Sequence, residues 1–256
     1  MHPRLRRIAL LTSCALVAAL FIAPDAGARE RSRSGSVTGG RGKSGTFERN
    51  VKRERDASHR DTTVNTDKGQ GSRTVDTEKD REEGTATRNA TTTLPNGKTA
   101  ASQTTTTRND DGTVTIHRDN TGPNGQTSSM DKTATKNDDG TVSVHADHNL
   151  PNGETATVDK TLAKTDTGRT ATGTYTTSTG KNGTLETDVV NADGSRSKTT
   201  YVQTDDGKTW QRVVTTTAGD GTVTRTVTVV DPNDVPHERT ATTTVTTEPP
   251  QTDPAH

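Results

Sequence analysis

The stretch that decides the fold is residues 109–125, NDDGTVTIHRDNTGPNG. Both of its ends are turn sequences, because Asn-Gly and Asp-Gly pairs tolerate the positive φ angles of tight hairpin turns. Between the turns, Val114 and Ile116 alternate with threonine, which places aliphatic side chains on one face of a strand and hydroxyls on the other. The stretch therefore predicts a β-strand that runs between two tight turns.

The same arrangement recurs along the chain at intervals of 28 residues. Pro-Asn-Gly begins at Pro95, Pro123 and Pro151, and Asn-Asp-Asp-Gly begins at Asn109 and Asn137. The two turn types alternate, so each unit holds two strands, and a fixed period of this length is typical of repeat architectures. We therefore expect an all-β fold, an elongated antiparallel β-hairpin meander built from Thr-rich repeats of 28 residues.

The glycines of these motifs, and those that continue the period, are assigned to the turns. Gly69 and Gly84 extend the period backwards more weakly, and Gly183 follows it with looser spacing. The assigned turn glycines are Gly97, Gly112, Gly125, Gly140, Gly153, Gly168, Gly194, Gly207 and Gly221.

The composition limits what such a sheet can be. Hydrophobic residues make up 24% of the chain and aromatic residues 2%, whereas a globular domain is roughly 45–50% apolar when glycine is counted. This excludes a conventional enzyme core, a multi-span membrane protein and a coiled coil. Threonine and valine favour strands, so we expect a thin sheet with threonine-covered faces, held largely by backbone hydrogen bonds.

The N-terminal segment has the three parts of an export signal. Arginines at positions 4, 6 and 7 precede an apolar run over 8–23, and the small residues Ala26-Gly27-Ala28 follow it. This order predicts a signal peptide over 1–28 that is cleaved on export, and it indicates a periplasmic or extracellular protein. An uncleaved anchor is the alternative.

The single cysteine of the chain, Cys14, lies inside that apolar run. Residues 11–14 (LTSC) resemble a bacterial lipoprotein box, which implies lipidation of Cys14 as a further alternative. The apolar run continues past Cys14, however, whereas a polar tether follows the cysteine in that family. After cleavage the chain has no cysteine, so it holds no disulfide and no thiolate site.

The mature chain divides into four segments by composition. Residues 29–60 are expected to be a disordered basic Gly/Ser/Arg leader, with contact to an anionic envelope surface as the alternative. Residues 61–182 are expected to be β-hairpin repeats, and 183–231 a better-packed β-meander with strands near 184–191, 195–204, 208–217 and 222–230. Residues 232–256 are expected to hold a possible last strand near 241–247 and a Pro-rich tail.

Candidate chemistry is sparse. His117 and His145 occupy equivalent repeat positions, and His148 lies three residues beyond His145, which on a strand points it to the opposite face. Surface histidines are therefore expected, with a zinc or nickel site as the alternative. Carboxylates of the Asp-Asp-Gly turns could bind Ca²⁺, but plain turns are expected, and we assign no catalytic, cofactor-binding or metal-binding residue.

Two aromatic residues are candidates for a weak ligand contact. Tyr201 and Trp210 could stack on a sugar, although a lone tryptophan in the best-packed segment is more often part of a core. The residues around this tyrosine, 199–208 (TTYVQTDDGK), are similar to one unit of the YD-repeat β-proteins. The resemblance implies an extended strand–turn repeat, although the Tyr-Asp pair of that family is absent.

The sequence therefore favours an exported, non-enzymatic structural or interaction protein of the bacterial envelope or extracellular space. Its expected partner is an envelope polymer or another protein that it contacts through sheet edges. We expect no nucleic-acid partner, no cofactor, and membrane contact only through the signal peptide. The alternatives are a largely disordered Thr-rich secreted spacer, a self-assembling β-fibre subunit and a carbohydrate-binding surface protein.

Overall fold

The computed structural model describes residues 29–39, 44–219 and 222–246, and within them the fold is all-β with no helix. Sixteen antiparallel strands follow one another in meander order, which confirms the predicted hairpin fold. The strands are β1 (Arg29–Gly39), β2 (Ser44–Arg53), β3 (Ala57–Thr66), β4 (Gly69–Asp80), β5 (Thr85–Thr93), β6 (Thr99–Arg108), β7 (Val114–Thr121), β8 (Thr127–Lys136), β9 (Val142–Asn149), β10 (Thr155–Lys164), β11 (Gly168–Thr177), β12 (Asn182–Ala192), β13 (Ser195–Thr204), β14 (Thr209–Gly219), β15 (Thr222–Val230) and β16 (Pro236–Thr246).

The sheet closes on itself because its first and last strands are hydrogen-bonded neighbours. The β1–β16 register runs from Ser34 opposite Thr246 to Gly39 opposite Ala241. Every described strand therefore has two neighbours, although residues 29–33 of β1 and 236–240 of β16 extend beyond the register that the two strands share. Closure removes the unpaired N–H and C=O groups that make an edge strand prone to pairing with other chains.

The basic leader is where the structure departs from the sequence-based expectation. Residues 29–60, expected to be disordered, contain β1, β2 and the first residues of β3. The expectation rested on the shortage of apolar side chains, but β1 pairs with β2 over residues 29–38 and with β16 over residues 34–39. These ladder hydrogen bonds, which lie on both sides of β1 in its second half, satisfy backbone groups, so the strand depends less on apolar burial.

Three predictions from the sequence concern residues outside the described part of the chain. They are the signal peptide over 1–28, the turn at Gly221 and the Pro-rich end of the tail. The predicted last strand is present as β16, which begins a few residues earlier than expected. Within the described residues, none of the secondary structure is a helix that could cross a membrane.

The assigned turn glycines behave alike, with one exception. Gly112 and Gly140 take φ angles of 81° and 83°, and Gly97, Gly125, Gly153, Gly194 and Gly207 are also positive. Gly168 does not take a positive φ, although it exchanges backbone hydrogen bonds with Thr165 across the hairpin turn. It opens β11, where a Cβ would overlap the backbone carbonyl oxygen of Val189. Gly180, which was not assigned, takes φ 79° in the turn before β12.

Burial is spread through the sheet and is not concentrated in 183–231. The best-buried side chains are Val75 on β4, 3% exposed, and Val189 on β12, 4% exposed. The remaining buried residues are Ala90, Ala134, Val144, Ala146, Tyr175, Leu185, Thr200 and Val214. The apolar core is therefore a thin layer that extends from β4 to β14.

Candidate functional site

The two faces of the sheet differ in charge. We call the face that carries Arg60 and Val144 the basic face, and the face that carries Asp61 and His145 the acidic face. The strand registers assign each of the remaining strand residues to one of these two faces. On the described strands every Asp and Glu lies on the acidic face. Among the strand Lys and Arg whose side chains the structure describes, all lie on the basic face except Lys52.

The separation follows from the two-residue period of a strand. In β1, arginine alternates with glutamate or serine, so Arg29, Arg31 and Arg33 point to one side. All of the buried residues named above lie on this same basic face. Because the concave side of a closed sheet is the less exposed one, the basic face is the inner face.

Positive charge is most concentrated on the basic face around a cavity at β1–β4, which we call the arginine cavity. Its volume is about 290 Å³. Its lining is Arg29, Arg31, Arg33, Arg49, Arg53 and Arg60, with Val51, Ser58 and Val75. All nine residues belong to the basic face, so the cavity combines six guanidinium groups with a small aliphatic floor.

Two pairs of these arginines stand directly opposite each other on neighbouring strands. Arg29 faces Arg53, and Arg33 faces Arg49, across the β1–β2 ladder. Like charges in directly opposite positions destabilise a sheet. Among the described residues, no ion pair joins any of the six arginines to a carboxylate, although Arg49 Nε donates a hydrogen bond to Thr62 Oγ1 at 3.2 Å.

The electrostatic consequence is visible at Arg60 and Arg88, which lie deeper on the same face. Burial lowers the pKa of Arg60, and the positive charges of Arg49, Arg73 and Arg53 lower it further. Burial likewise lowers the pKa of Arg88, with added contributions from Arg60 and Arg73. The cations of the basic face therefore repel one another in a partly desolvated setting, where a bound anion would be stabilised.

On the acidic face a different arrangement occurs three times. A histidine lies between an aspartate two residues later on its own strand and an aspartate on the next strand. His117 Nδ1 lies 2.6 Å from Asp131 Oδ1, and its Nε2 lies 2.9 Å from Asp119 Oδ2. The other two copies are His145 with Asp159 and Asp147, and His59 with Asp76 and Asp61.

The repeat itself supplies a neutral version of this group. Asn89 and Gln103 stand 28 residues before His117 and Asp131, and Gln103 Nε2 donates to Asn89 Oδ1 at 3.1 Å. The Asp–His–Asp groups are exposed, and no set of three or more His, Asp or Glu in the described part of the chain has a geometry that could hold a metal. These groups are therefore ionic cross-strand links on the outer surface.

The links make stability depend on pH. Hydrogen bonds to Asp131 and then Asp119 raise the pKa of His117 above 6.5, and the pKa values of His59 and His145 are raised similarly, first by Asp76 and by Asp159. Because the folded pKa is raised, this stabilisation is complete below pH 6.5 and is lost as the pH rises through the raised value. Each exposed link contributes less than about 1 kcal/mol.

We therefore predict that the free energy of unfolding falls as the pH rises from 6.5 through the raised pKa values of these histidines. A fourfold variant copies the neutral Asn89–Gln103 pair at two of the three links, with His117→Asn, His145→Asn, Asp131→Gln and Asp159→Gln. It should remove most of this pH-dependent fall in the free energy of unfolding. Urea denaturation at several pH values measures it. An unchanged slope in the fourfold variant would show that the links do not titrate as the geometry indicates.

The two aromatic candidates are not brought together. Tyr201 faces Gln211 and lies on the acidic face, where its hydroxyl accepts a hydrogen bond from Gln211 Nε2 at 2.8 Å. Trp210 faces Val202 on the basic face and is half-buried. Because the sheet separates them, they cannot stack on one sugar ring. His145 and His148 also lie on opposite faces, as predicted.

The arginine cavity was missed in the sequence, although the signal is present there. Arg29, Arg31 and Arg33 recur at every second residue, which is the strand period, and Arg49 and Arg53 continue it. A leader treated as disordered hides that period. Comparisons of the chain with protein-family models, curated proteins and solved structures found no match.

Proposed function

We propose that the protein is an exported, non-enzymatic interaction protein that binds an anionic polymer through its basic face. The observation that carries the proposal is the separation of charge, since the described strands place no carboxylate on that face. A surface of one sign attracts ligands of the opposite sign and concentrates them. The partly buried setting of Arg60 and Arg88 strengthens this attraction.

We place the proposed contact on a face of the sheet and not on its edges. Partner binding through a free sheet edge was one expectation from the sequence, but β1 and β16 are paired with each other. A polymer that reaches the inner face would instead meet arginine and lysine side chains on successive strands. Aliphatic and threonine side chains between these cations carry no opposing charge.

Export is the part of the proposal that depends on the sequence alone. The positively charged start, the apolar run and the small residues before Arg29 support it. The first strand begins at Arg29, so cleavage after Ala28 would leave every described strand intact. The mass of the protein recovered from outside the cytoplasm should correspond to a chain that starts at Arg29.

The binding proposal is tested with polymers that differ in charge. The mature chain is titrated at low salt with polygalacturonate, with polyphosphate and with neutral dextran, and binding is followed by calorimetry. We expect binding to at least one anionic polymer, no binding to dextran, and loss of affinity as salt screens the charges. Equal affinity for dextran, or no binding to either polyanion, would refute the proposal.

A further inference from the structure

We infer that the arginine cavity is a site for phosphate groups, so that the anionic polymer, or a soluble oligophosphate, is held there by several guanidinium groups at once. The inference deepens the proposed function and rests on it. It is carried by the composition of the cavity, by the arginine pairs across β1–β2, and by the position of the nearest carboxylates.

The cations of the cavity are six arginines and no lysine. Elsewhere the basic face carries both types of cation, with only lysine on β8 and β10 and both Arg196 and Lys198 on β13. The planar guanidinium presents a rigid fork of N–H donors that fits phosphate oxygens in pairs, which an ammonium group cannot do. The choice of arginine therefore points to an oxyanion with several acceptor oxygens.

The opposed pairs need a ligand that carries more than one negative charge. Arg29 with Arg53, and Arg33 with Arg49, each place two positive charges on adjacent strands. A phosphate group between the members of a pair would accept hydrogen bonds from both and would replace repulsion with attraction. Linked phosphates match two such pairs better than a single carboxylate does.

The cavity has room for such a ligand. Its volume of about 290 Å³ corresponds to roughly ten water molecules at ~30 Å³ each. That space accommodates more than one phosphate group with its oxygens. Val51 and Val75 lie among the lining residues and carry no charge that would compete for the arginines.

The nearest carboxylates do not neutralise the site. Glu30 and Glu48 lie on β1 and β2 but belong to the acidic face, on the other side of the sheet. In the turn between β2 and β3, Glu54 pairs with Lys52 at 3.0 Å, and Asp56 pairs with Arg81 at 2.6 Å. These acids already have cationic partners of their own.

The test uses tripolyphosphate as the probe and the mature chain as the protein. Titration calorimetry and thermal denaturation are carried out on the wild type, on the double variant Arg33→Gln/Arg49→Gln, and on Lys160→Gln/Lys164→Gln. The lysine variant removes the same charge from the same face, at β10. It is therefore the matched control for a general loss of positive charge.

We expect tripolyphosphate to bind the wild type and the lysine variant with similar affinity. The arginine variant should bind it about tenfold more weakly or worse, because charge-assisted hydrogen bonds are lost. Without ligand, that variant should melt no lower than the wild type, since it relieves an Arg–Arg pair. A folded arginine variant that binds as the wild type does would overturn the inference.

The outcomes also separate this inference from the proposed function. Binding of polygalacturonate without binding of tripolyphosphate would refute the phosphate site and leave the polyanion proposal standing. Equal weakening by the arginine and lysine variants would refute the local site and indicate attraction by the whole face. If neither anionic probe binds the wild type at low salt, both proposals fail.

Discussion

Replacing Gly183 with alanine is expected to lower the free energy of unfolding by about 1–3 kcal/mol, the usual cost of forcing an extra group into a packed site. A Cβ at this position would overlap the backbone carbonyl oxygen of Gln203 on β13 and would lie 2.8 Å from Cε1 of Tyr175. The carbonyl belongs to the sheet ladder and cannot move without disturbing β12–β13 pairing. Urea denaturation measures the loss.

The tyrosine explains why this glycine lies inside a strand. Tyr175 stands directly opposite Gly183 in the β11–β12 ladder and is only 8% exposed, so its ring covers backbone that has no side chain of its own. The control is Gly219→Ala at another strand residue, because no atom in the described part of the chain lies within 4 Å of a Cβ placed on Gly219. Equal destabilisation by the two substitutions would contradict the packing argument.

A proline in β1 is expected to disrupt the sheet at either of two adjacent positions, Ser34 or Gly35. Successive residues of an antiparallel strand send their N–H groups to opposite sides, so one position faces β2 and the other faces β16. Because β1 has both neighbours, each proline removes a ladder hydrogen bond. The orphaned carbonyl alone costs about 1–3 kcal/mol.

The comparison between the two prolines tests closure independently of any single contact. Ser34→Ala and Gly35→Ala are the controls for loss of the original residue, and all four variants are compared by urea denaturation. If β1 were an edge strand, one of the two prolines would direct its missing N–H to solvent and would be tolerated. Tolerance at one position together with a loss at the other would therefore contradict the closed sheet.

Much of the fold follows from local sequence. The alternation in residues such as Val114 and Ile116 predicts which side chains share a face, and turn residues such as Gly112 and Gly140 predict where hairpins form. These features succeed because each depends on only a few adjacent residues. Gly168 exchanges backbone hydrogen bonds with Thr165 across the turn that its place in the period predicts, and the lack of a side chain there also allows the close approach of Val189.

Closure could not be predicted in the same way. The pairing of Ser34 with Thr246 joins residues at the two ends of the described chain, and no local pattern encodes it. The shortage of apolar residues also hid the strands of the leader, because hydrophobicity is a poor guide when backbone hydrogen bonds on both sides carry the stability.

The arginine cavity illustrates the same limit. The alternation of Arg29, Arg31 and Arg33 can be read from the sequence, but the meeting of Arg33 with Arg49 depends on the hairpin register. The third strand then adds Arg60 beside them. The Asp–His–Asp links are predictable from the sequence only in part, because His117 and Asp119 are close in sequence while Asp131 comes from the next strand.

The most direct test of the closed sheet is a disulfide between its first and last strands. Ser36 and Thr244 are paired across β1 and β16, at a Cα separation that antiparallel pairs and disulfides share. The test is made in a Cys14→Ser chain, so that the introduced cysteines are the only ones. The variant Ser36→Cys/Thr244→Cys should form an intramolecular disulfide as readily as Ser36→Cys/Thr46→Cys, whose two positions are paired within the β1–β2 hairpin. A cross-link no more frequent than that of Ser36→Cys with Thr133→Cys, on distant β8, would contradict the closed sheet.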